Sequence, residues 1–190
     1  AVGLLAAALC GSLSAQTAMA TMHYDRRQTV AQEQFESSAD TYSASASAAS
    51  KKAWQKINGK CYNGSGKVIP GAITRGIDVS EWQETINWAK VKKSDVDFAF
   101  VRIAHGIKYQ DKNFDYNMKQ AELAGVPVGT YVYSTATNTA GALKEAQLAI
   151  KKMKGYKVSY PVAYDLEDAK LEKLSPRTIS RMALAFCNEI

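Results

Sequence analysis

The sequence predicts an α/β protein with a parallel sheet, on three observations. Between residues 76 and 190, four short apolar runs alternate with stretches of helical periodicity, as expected when each strand is followed by a crossover helix. The run 98–104 is almost entirely apolar, which is typical of a strand covered on both faces. Acidic residues lie at the ends of the first and fourth runs, where parallel α/β barrels carry their chemistry.

The first two strand–helix units are predicted over residues 76–125. The strand 76–80 precedes a brief helical stretch at 88–93, and the strand 98–104 precedes a longer helix. In that helix apolar residues recur every three or four positions, and Gly125 is placed to end it.

The third and fourth units follow the same plan. The strand 127–134 leads into a helix over 140–152 with a broad apolar face. A fourth strand ends at Asp165, and the last helix begins with Ser175 as its N-cap and Pro176 in its first turn.

Four such units amount to half of a closed barrel, which needs eight strands. An open half would leave an edge strand unpaired. We therefore expect a TIM-like (β/α) barrel of which these residues hold only about the first four β/α units, in a chain that continues at both ends.

The acidic end of the fourth strand carries the first functional signal. Asp165 and Glu167 are two residues apart, so on a strand they project to the same side. Neighbouring carboxyls raise each other's proton affinity, so one stays protonated beside an anion. This pairing suits cleavage of a glycosidic bond. For an isolated Asp-x-Glu, a merely solvated strand end is the simpler alternative.

The N-terminal third indicates export. Residues 1–20 carry no charge, and Ala18-Met19-Ala20 has the small-x-small form of a signal-peptidase site. We predict a partial signal peptide at 1–20, a low-complexity spacer and lead-in at 21–70, and the catalytic domain at 71–190. A membrane anchor is the alternative, but polar residues interrupt the apolar run too early for a stable span.

Charge and cysteine content restrict the partners. The net charge is +6 and the isoelectric point about 9.1, yet no basic stripe interleaved with aromatics indicates nucleic acid; an anionic cell envelope fits a diffuse positive charge equally well. No glycine-rich dinucleotide motif or zinc-type Cys/His spacing occurs, so no cofactor or metal is expected. Cys61 and Cys187 are expected to be unpaired thiols, with a bridge as the alternative.

Several other residues are candidates for a site. Tyr131 and Tyr133 share a strand face; Tyr133 is weighed evenly between sugar stacking and core, and core is favoured for Tyr131. Arg102, inside an apolar strand, needs a partner, and an acid at a strand tip is the expected one. Trp82 flanks the cleft or packs beneath it, with packing favoured. His105 is interpreted as a surface or satisfied histidine rather than a base.

Beyond these patterns, the chain resembles glycoside hydrolase family 25, the Chalaropsis-type lysozymes. The similar stretches occur in the family's order over residues 76–190; they are Gly76-Ile77-Asp78-Val79-Ser80-Glu81-Trp82-Gln83, 97–102, 109–111, 124–134 and Asp165-Leu166-Glu167. The resemblance implies a TIM-like barrel with irregular last strands. It also implies a secreted or cell-wall-associated muramidase that cleaves the β-1,4 bond after N-acetylmuramic acid in peptidoglycan.

Carried over by position, the resemblance implies that Glu167 is the general acid, Asp165 the acid beside it and Asp78 the acid of the first strand. Substrate binding is expected from Tyr133, Arg102, Tyr131 and Trp82. Two alternatives remain: a truncated or degenerate relative that binds wall glycan without hydrolysis, and, ranked below it, a chitinase-like enzyme.

Overall fold

The computed structural model describes residues 7–10 and 55–190, which form an α/β fold with a mostly parallel sheet. The strands are β1 (Ala7–Cys10), β2 (Gln55–Ile57), β3 (Lys60–Tyr62), β4 (Gly76–Val79), β5 (Phe98–His105), β6 (Tyr109–Gln110), β7 (Val128–Tyr133) and β8 (Val162–Asp165). The α-helices are α1 (Trp88–Lys93), α2 (Phe114–Leu123), α3 (Thr139–Met153) and α4 (Pro176–Glu189). In the described part of the chain, no helix combines the length and apolarity that a membrane crossing requires.

The main sheet confirms the four predicted strand–helix units. Strands β4, β5, β7 and β8 are parallel neighbours in sequence order, so right-handed crossovers place their helices on one face. β6 folds back antiparallel on β5, and β1 pairs antiparallel with β8. Within the described residues the sheet is open, with β4 and β1 at its edges.

The two faces of this sheet differ in character. On the face under the helices, side chains are essentially excluded from solvent; they include Ala99, Val101, Val128, Val132 and Tyr164. The opposite face is aromatic and only half-buried: Phe98 stacks on Tyr160 with ring centroids 4.7 Å apart and meets the edge of Phe100 at 6.0 Å. Burial of the first face holds the fold together, which leaves the second available for chemistry.

Gly129 allows this aromatic face to pack closely. A Cβ on Gly129 would lie 2.7 Å from the Phe100 ring and 2.7 Å from the Pro161 carbonyl oxygen. Backbone on β7 therefore lies against the Phe100 ring of β5 and the segment just before β8, and any larger residue would force them apart.

The helices begin where their caps predict. Asn138 and Ser175 accept hydrogen bonds from the backbone N–H groups of Gly141 and Thr178, which satisfies donors that the first turn leaves unpaired. The predicted Ser175–Pro176 start of the last helix is confirmed. At the end of α2, Gly125 takes a positive φ of 67°, as predicted for a helix terminator.

A small hairpin precedes the main sheet. β2 and β3 join through Asn58 and Gly59, both at positive φ, the arrangement of a type I′ turn. After β3 the chain turns back, and a single antiparallel bridge joins Tyr62 and Val68. Lys56 pairs with Asp97 at 3.0 Å, which anchors the hairpin at the end of β5 remote from the acids.

Most of the predicted signal peptide and spacer lies outside the described residues; of residues 1–20 only Ala7–Cys10 is described, as β1. The prediction of two unpaired thiols is wrong for Cys187, which is in a disulfide, whereas Cys61 is free and buried. Disulfide formation depends on Cα separations of about 4–7 Å, which sequence spacing does not reveal.

Candidate active site

The predicted acids lie at the carboxyl ends of the two outer parallel strands. Asp78 is the third residue of β4 and Asp165 the last residue of β8. Tyr164 and Leu166 are buried on the helix side, so Asp165 and Glu167, which alternate with them, project to the helix-free side. Both acids are half-buried.

The carboxyls are close enough to perturb one another. Burial raises the pKa of Asp165 to about 7, and the charges of Glu167 and then Asp78 add to the rise. The pKa of Asp78 is raised by loss of surrounding water, which a hydrogen bond with its own backbone partly offsets. The three acids therefore form one electrostatic cluster, and below about pH 7 Asp165 holds a proton.

The side chain of Asp78 is exposed on the open side of the sheet. Protein surrounds it on its other sides and removes much of the water around its carboxyl group. Tyr131 is close to the same cluster, because burial and the charges of Asp78 and Asp165 raise the pKa of its hydroxyl, and Arg102 opposes the rise. Tyr131 is half-buried on the helix-free face, and its assignment to the core stays a prediction.

Arg102 has partners other than those predicted. Its Nε donates to Asp111 Oδ2 at 2.9 Å and its Nη2 to Glu81 Oε1 at 3.1 Å. Two further bonds complete the network, from the Tyr109 hydroxyl to Glu81 Oε2 at 2.5 Å and from the Glu81 backbone N–H to Asp111 Oδ2 at 2.9 Å. The expected pairing with a strand-tip acid is wrong, because Glu81, just past β4, supplies a nearer carboxylate; Arg102 acts on Asp165 only through its field, which lowers the pKa of that acid.

Trp82 is on the surface. It lies in a 3₁₀ helix, Glu81–Gln83, whose other two residues are buried, and it is 74% exposed. The favoured prediction that it packs beneath the cleft is wrong: Ser80 and Gln83 form a capping box that turns its neighbours inward and Trp82 outward. Its ring is an exposed, flat apolar surface four residues after Asp78.

A β-bulge brings a residue to the site that sequence reasoning set aside. The pairing of β5 with β7 shifts between Arg102 and Ala104, and a bulge redirects the side chains that follow it. His105 consequently lies on the same face as Tyr133, with ring centroids 4.4 Å apart, and Tyr133 is opposite Asp165 in the sheet. Nothing in the apolar run signals a bulge.

Asp111 fixes a loop. Its Oδ1 accepts a hydrogen bond from the Asn113 backbone N–H. Its Oδ2 accepts hydrogen bonds from Arg102 Nε and from the Glu81 backbone N–H. Within residues 7–10 and 55–190, no group of three or more His, Cys, Asp or Glu side chains is arranged to hold a metal ion.

Comparisons with known proteins agree on one family. Residues 77–190 match the family model described as glycosyl hydrolases family 25. Lysozyme M1 of Streptomyces globisporus is 37% identical over 67 residues, which are 35% of this chain and 23% of that protein. The uncharacterized protein YegX of Escherichia coli K12 is 31% identical over 106 residues, or 53% of this chain and 38% of its own length.

Solved structures give the same result. The modular autolysin LytC of Streptococcus pneumoniae aligns with a TM-score of 0.60 and 27% identity, over 72% of this chain and 34% of LytC. A lysozyme of Streptomyces coelicolor aligns with a TM-score of 0.50 and 26% identity, over 60% of this chain and 55% of that one. The matched parts of the chain span between 23% and 55% of the length of these relatives.

Proposed function

Because the chain belongs to family 25 of the glycosyl hydrolases, we propose that it is an exported muramidase. The reaction is hydrolysis of the β-1,4 bond between N-acetylmuramic acid and N-acetylglucosamine in peptidoglycan. The observation that carries the proposal is the cluster of Asp78, Asp165 and Glu167, in which the pKa of Asp165 is raised to about 7. The similarity to lysozymes, and to LytC, which was solved with a synthetic peptidoglycan ligand, supports the substrate.

In the proposed mechanism, Glu167 protonates the oxygen of the leaving sugar. Asp165 and Glu167 keep one proton between them up to about pH 7, because ionising both groups would place two anions side by side, and Glu167 donates that shared proton. As the glycosidic bond breaks, the sugar ring gains positive charge, which Asp78 and the ionised partner stabilise electrostatically. Asp165 also orients the 2-acetamido group, whose oxygen attacks the anomeric carbon as the glycosidic bond breaks. Water then opens the cyclic intermediate, with the deprotonated Glu167 as the base.

The aromatic residues and Arg102 complete the proposed cleft. Tyr133 and Tyr131 line the helix-free face. The exposed ring of Trp82 is available to a sugar further along the glycan chain. Aromatic rings suit the apolar faces of pyranoses. Arg102 acts on the substrate through the loop that it holds, because its donors are engaged by Glu81 and Asp111.

Two broader expectations belong to the same proposal. The four β/α units are the first half of a TIM-like barrel, whose carboxyl-end face carries the acids. The uncharged segment 1–20 has the composition of a signal peptide. Its removal would take β1 away and leave β8 at the edge of the main sheet, and the mature protein would act outside the cell or at its wall.

The new reducing end made from purified peptidoglycan tests this function. We expect N-acetylmuramic acid at that end, detected by borohydride reduction and mass spectrometry. An N-acetylglucosamine end would contradict muramidase activity. Binding to the glycan without any new reducing end would favour the alternative, a wall-binding relative.

A further inference from the structure

A cavity lies beside the acid cluster without including any of its acids. Its volume is about 550 Å³, within the range of roughly 300–1,000 Å³ typical of ligand sites. Its walls are the β5–β6 turn, the segment from β7 into α3, and the loop after β8; the lining includes His105, Ile107, Lys108, Thr135, Asn138 and Lys170.

The cavity walls are held firmly in place. Gly106 has a positive φ of 64°, and a Cβ there would lie 2.2 Å from Thr135 Oγ1, so the two walls meet at van der Waals contact. Below them, Glu145 Oε1 accepts hydrogen bonds from the backbone N–H groups of Thr135 and Ala136, and its Oε2 accepts from Ser134 and Tyr164. The segments that line this open cavity are therefore fixed by close packing and hydrogen bonds.

The lining favours an anionic ligand with peptide character. Lys108 and Lys170 are exposed, and neither forms an ion pair within the described part of the chain. The one acid of the lining, Glu145, already accepts four hydrogen bonds. Ile107 and Ala136 supply apolar surface, while Thr135 and Asn138 supply polar groups, a mixture that suits short side chains and amide bonds.

The cavity is one side chain away from the proposed catalytic acids. His105 lines it and contacts Tyr133 at a ring-centroid distance of 4.4 Å, and Tyr133 is paired with Asp165 across β7 and β8. A glycan held at Asp165 and Glu167 would thus lie beside the cavity, next to any branch that its sugar carries. In peptidoglycan that branch is the stem peptide on the lactyl group of muramic acid, which carries free carboxylates.

We propose that this cavity binds the stem peptide of the muramyl residue being cleaved, with Lys108 and Lys170 pairing with its carboxylates. The proposal rests on the proposed muramidase function and adds a preference for glycan whose peptides are still attached. Ionic contacts of this kind weaken as salt screens them.

The test compares intact peptidoglycan with the same glycan after an amidase has removed its stem peptides. For the full-length chain we expect kcat/KM to be higher on intact material, and the ratio between the two substrates to fall about tenfold in Lys108→Ala/Lys170→Ala, mainly through KM. Lys119→Ala, an exposed lysine of α2, is the matched control and should keep the wild-type ratio. The difference should shrink in 0.5 M NaCl.

Failure of the two proposals is distinguishable. If the wild type releases no reducing ends from either substrate, the muramidase proposal fails. If it cleaves both and the double variant keeps the wild-type ratio, the stem-peptide proposal alone is overturned. The stem-peptide proposal would also be overturned if kcat/KM fell when wall phosphate polymers were removed and not when the peptides were removed. The lysines would then bind phosphate.

Discussion

Two groups of acids in this molecule have opposite surroundings. Glu81 and Asp111 share Arg102 between them, and Glu145, a buried residue of α3, accepts four hydrogen bonds. At the ends of β4 and β8, in contrast, burial and like charges dominate Asp165. We call the first group matched acids, because each has a cation or hydrogen-bond donors; they stabilise the loops that carry the site. The second group are crowded acids, which lie beside other acids and retain a proton. The difference separates carboxyls that hold structure from carboxyls fit for proton transfer.

The largest effect expected is on activity at the crowded cluster. Glu167→Gln keeps the shape but removes the transferable proton, so we predict a loss of about 10²–10⁴-fold in the release of reducing ends from peptidoglycan. Glu172→Gln, an exposed residue of the next 3₁₀ helix, should retain activity. More than a few per cent of wild-type activity in Glu167→Gln would rule out its role as the acid.

The largest effect on stability is expected at the paired cluster. Arg102→Leu leaves Glu81 and Asp111 buried without their cation, at a cost of about 3–5 kcal/mol in the free energy of unfolding. Urea denaturation measures this, with Arg177→Leu on the exposed side of α4 as the control, expected to change stability by less than about 0.5 kcal/mol. Equal small effects would mean that the network contributes little.

Removing a crowded acid should raise the free energy of unfolding, whereas removing Arg102 should lower it. Because the folded-state pKa of Asp165 is raised to about 7, protonation favours the folded state, and this contribution is lost as pH rises from the unfolded value near 4 to 7. Asp165→Asn should therefore stabilise the fold at pH 8, on the order of 1–3 kcal/mol after allowing for partial solvent access, and much less at pH 4.

Melting temperatures at both pH values test this, with Asp95→Asn, in an exposed turn, as the control. A destabilised Asp165→Asn at pH 8 would contradict the assignment of a crowded carboxyl.

The smallest effect is expected where a pair is solvated. Lys56 and Asp97 are 24% and 31% exposed, so Lys56→Ala should cost less than about 1 kcal/mol, and less still at high salt. Urea denaturation of Lys56→Ala is compared with that of Lys60→Ala, a lysine exposed in the same hairpin. The difference between the two free energies of unfolding is the contribution of the Lys56–Asp97 pair. A loss as large as that of Arg102→Leu would remove the distinction between buried and solvated pairs.

Local patterns predicted the parts of the fold that depend on local chemistry. The caps at Ser175 and Gly125 and the alternation around Asp165 follow from backbone hydrogen bonding and the two-residue strand period. Long-range choices were not predictable: which carboxylate reaches Arg102, how the capping box turns Trp82 outward, and where the bulge redirects His105. Each depends on loops that meet only after folding.

The most direct test of the account is the titration of Asp165 itself. In protein labelled with ¹³C at aspartate carboxyls, one resonance should titrate near pH 7 and disappear in Asp165→Asn, while surface aspartates titrate near about 4. If every aspartate other than Asp78 titrates below pH 5, Asp165 does not hold a proton near neutral pH, and the proposed chemistry loses its basis.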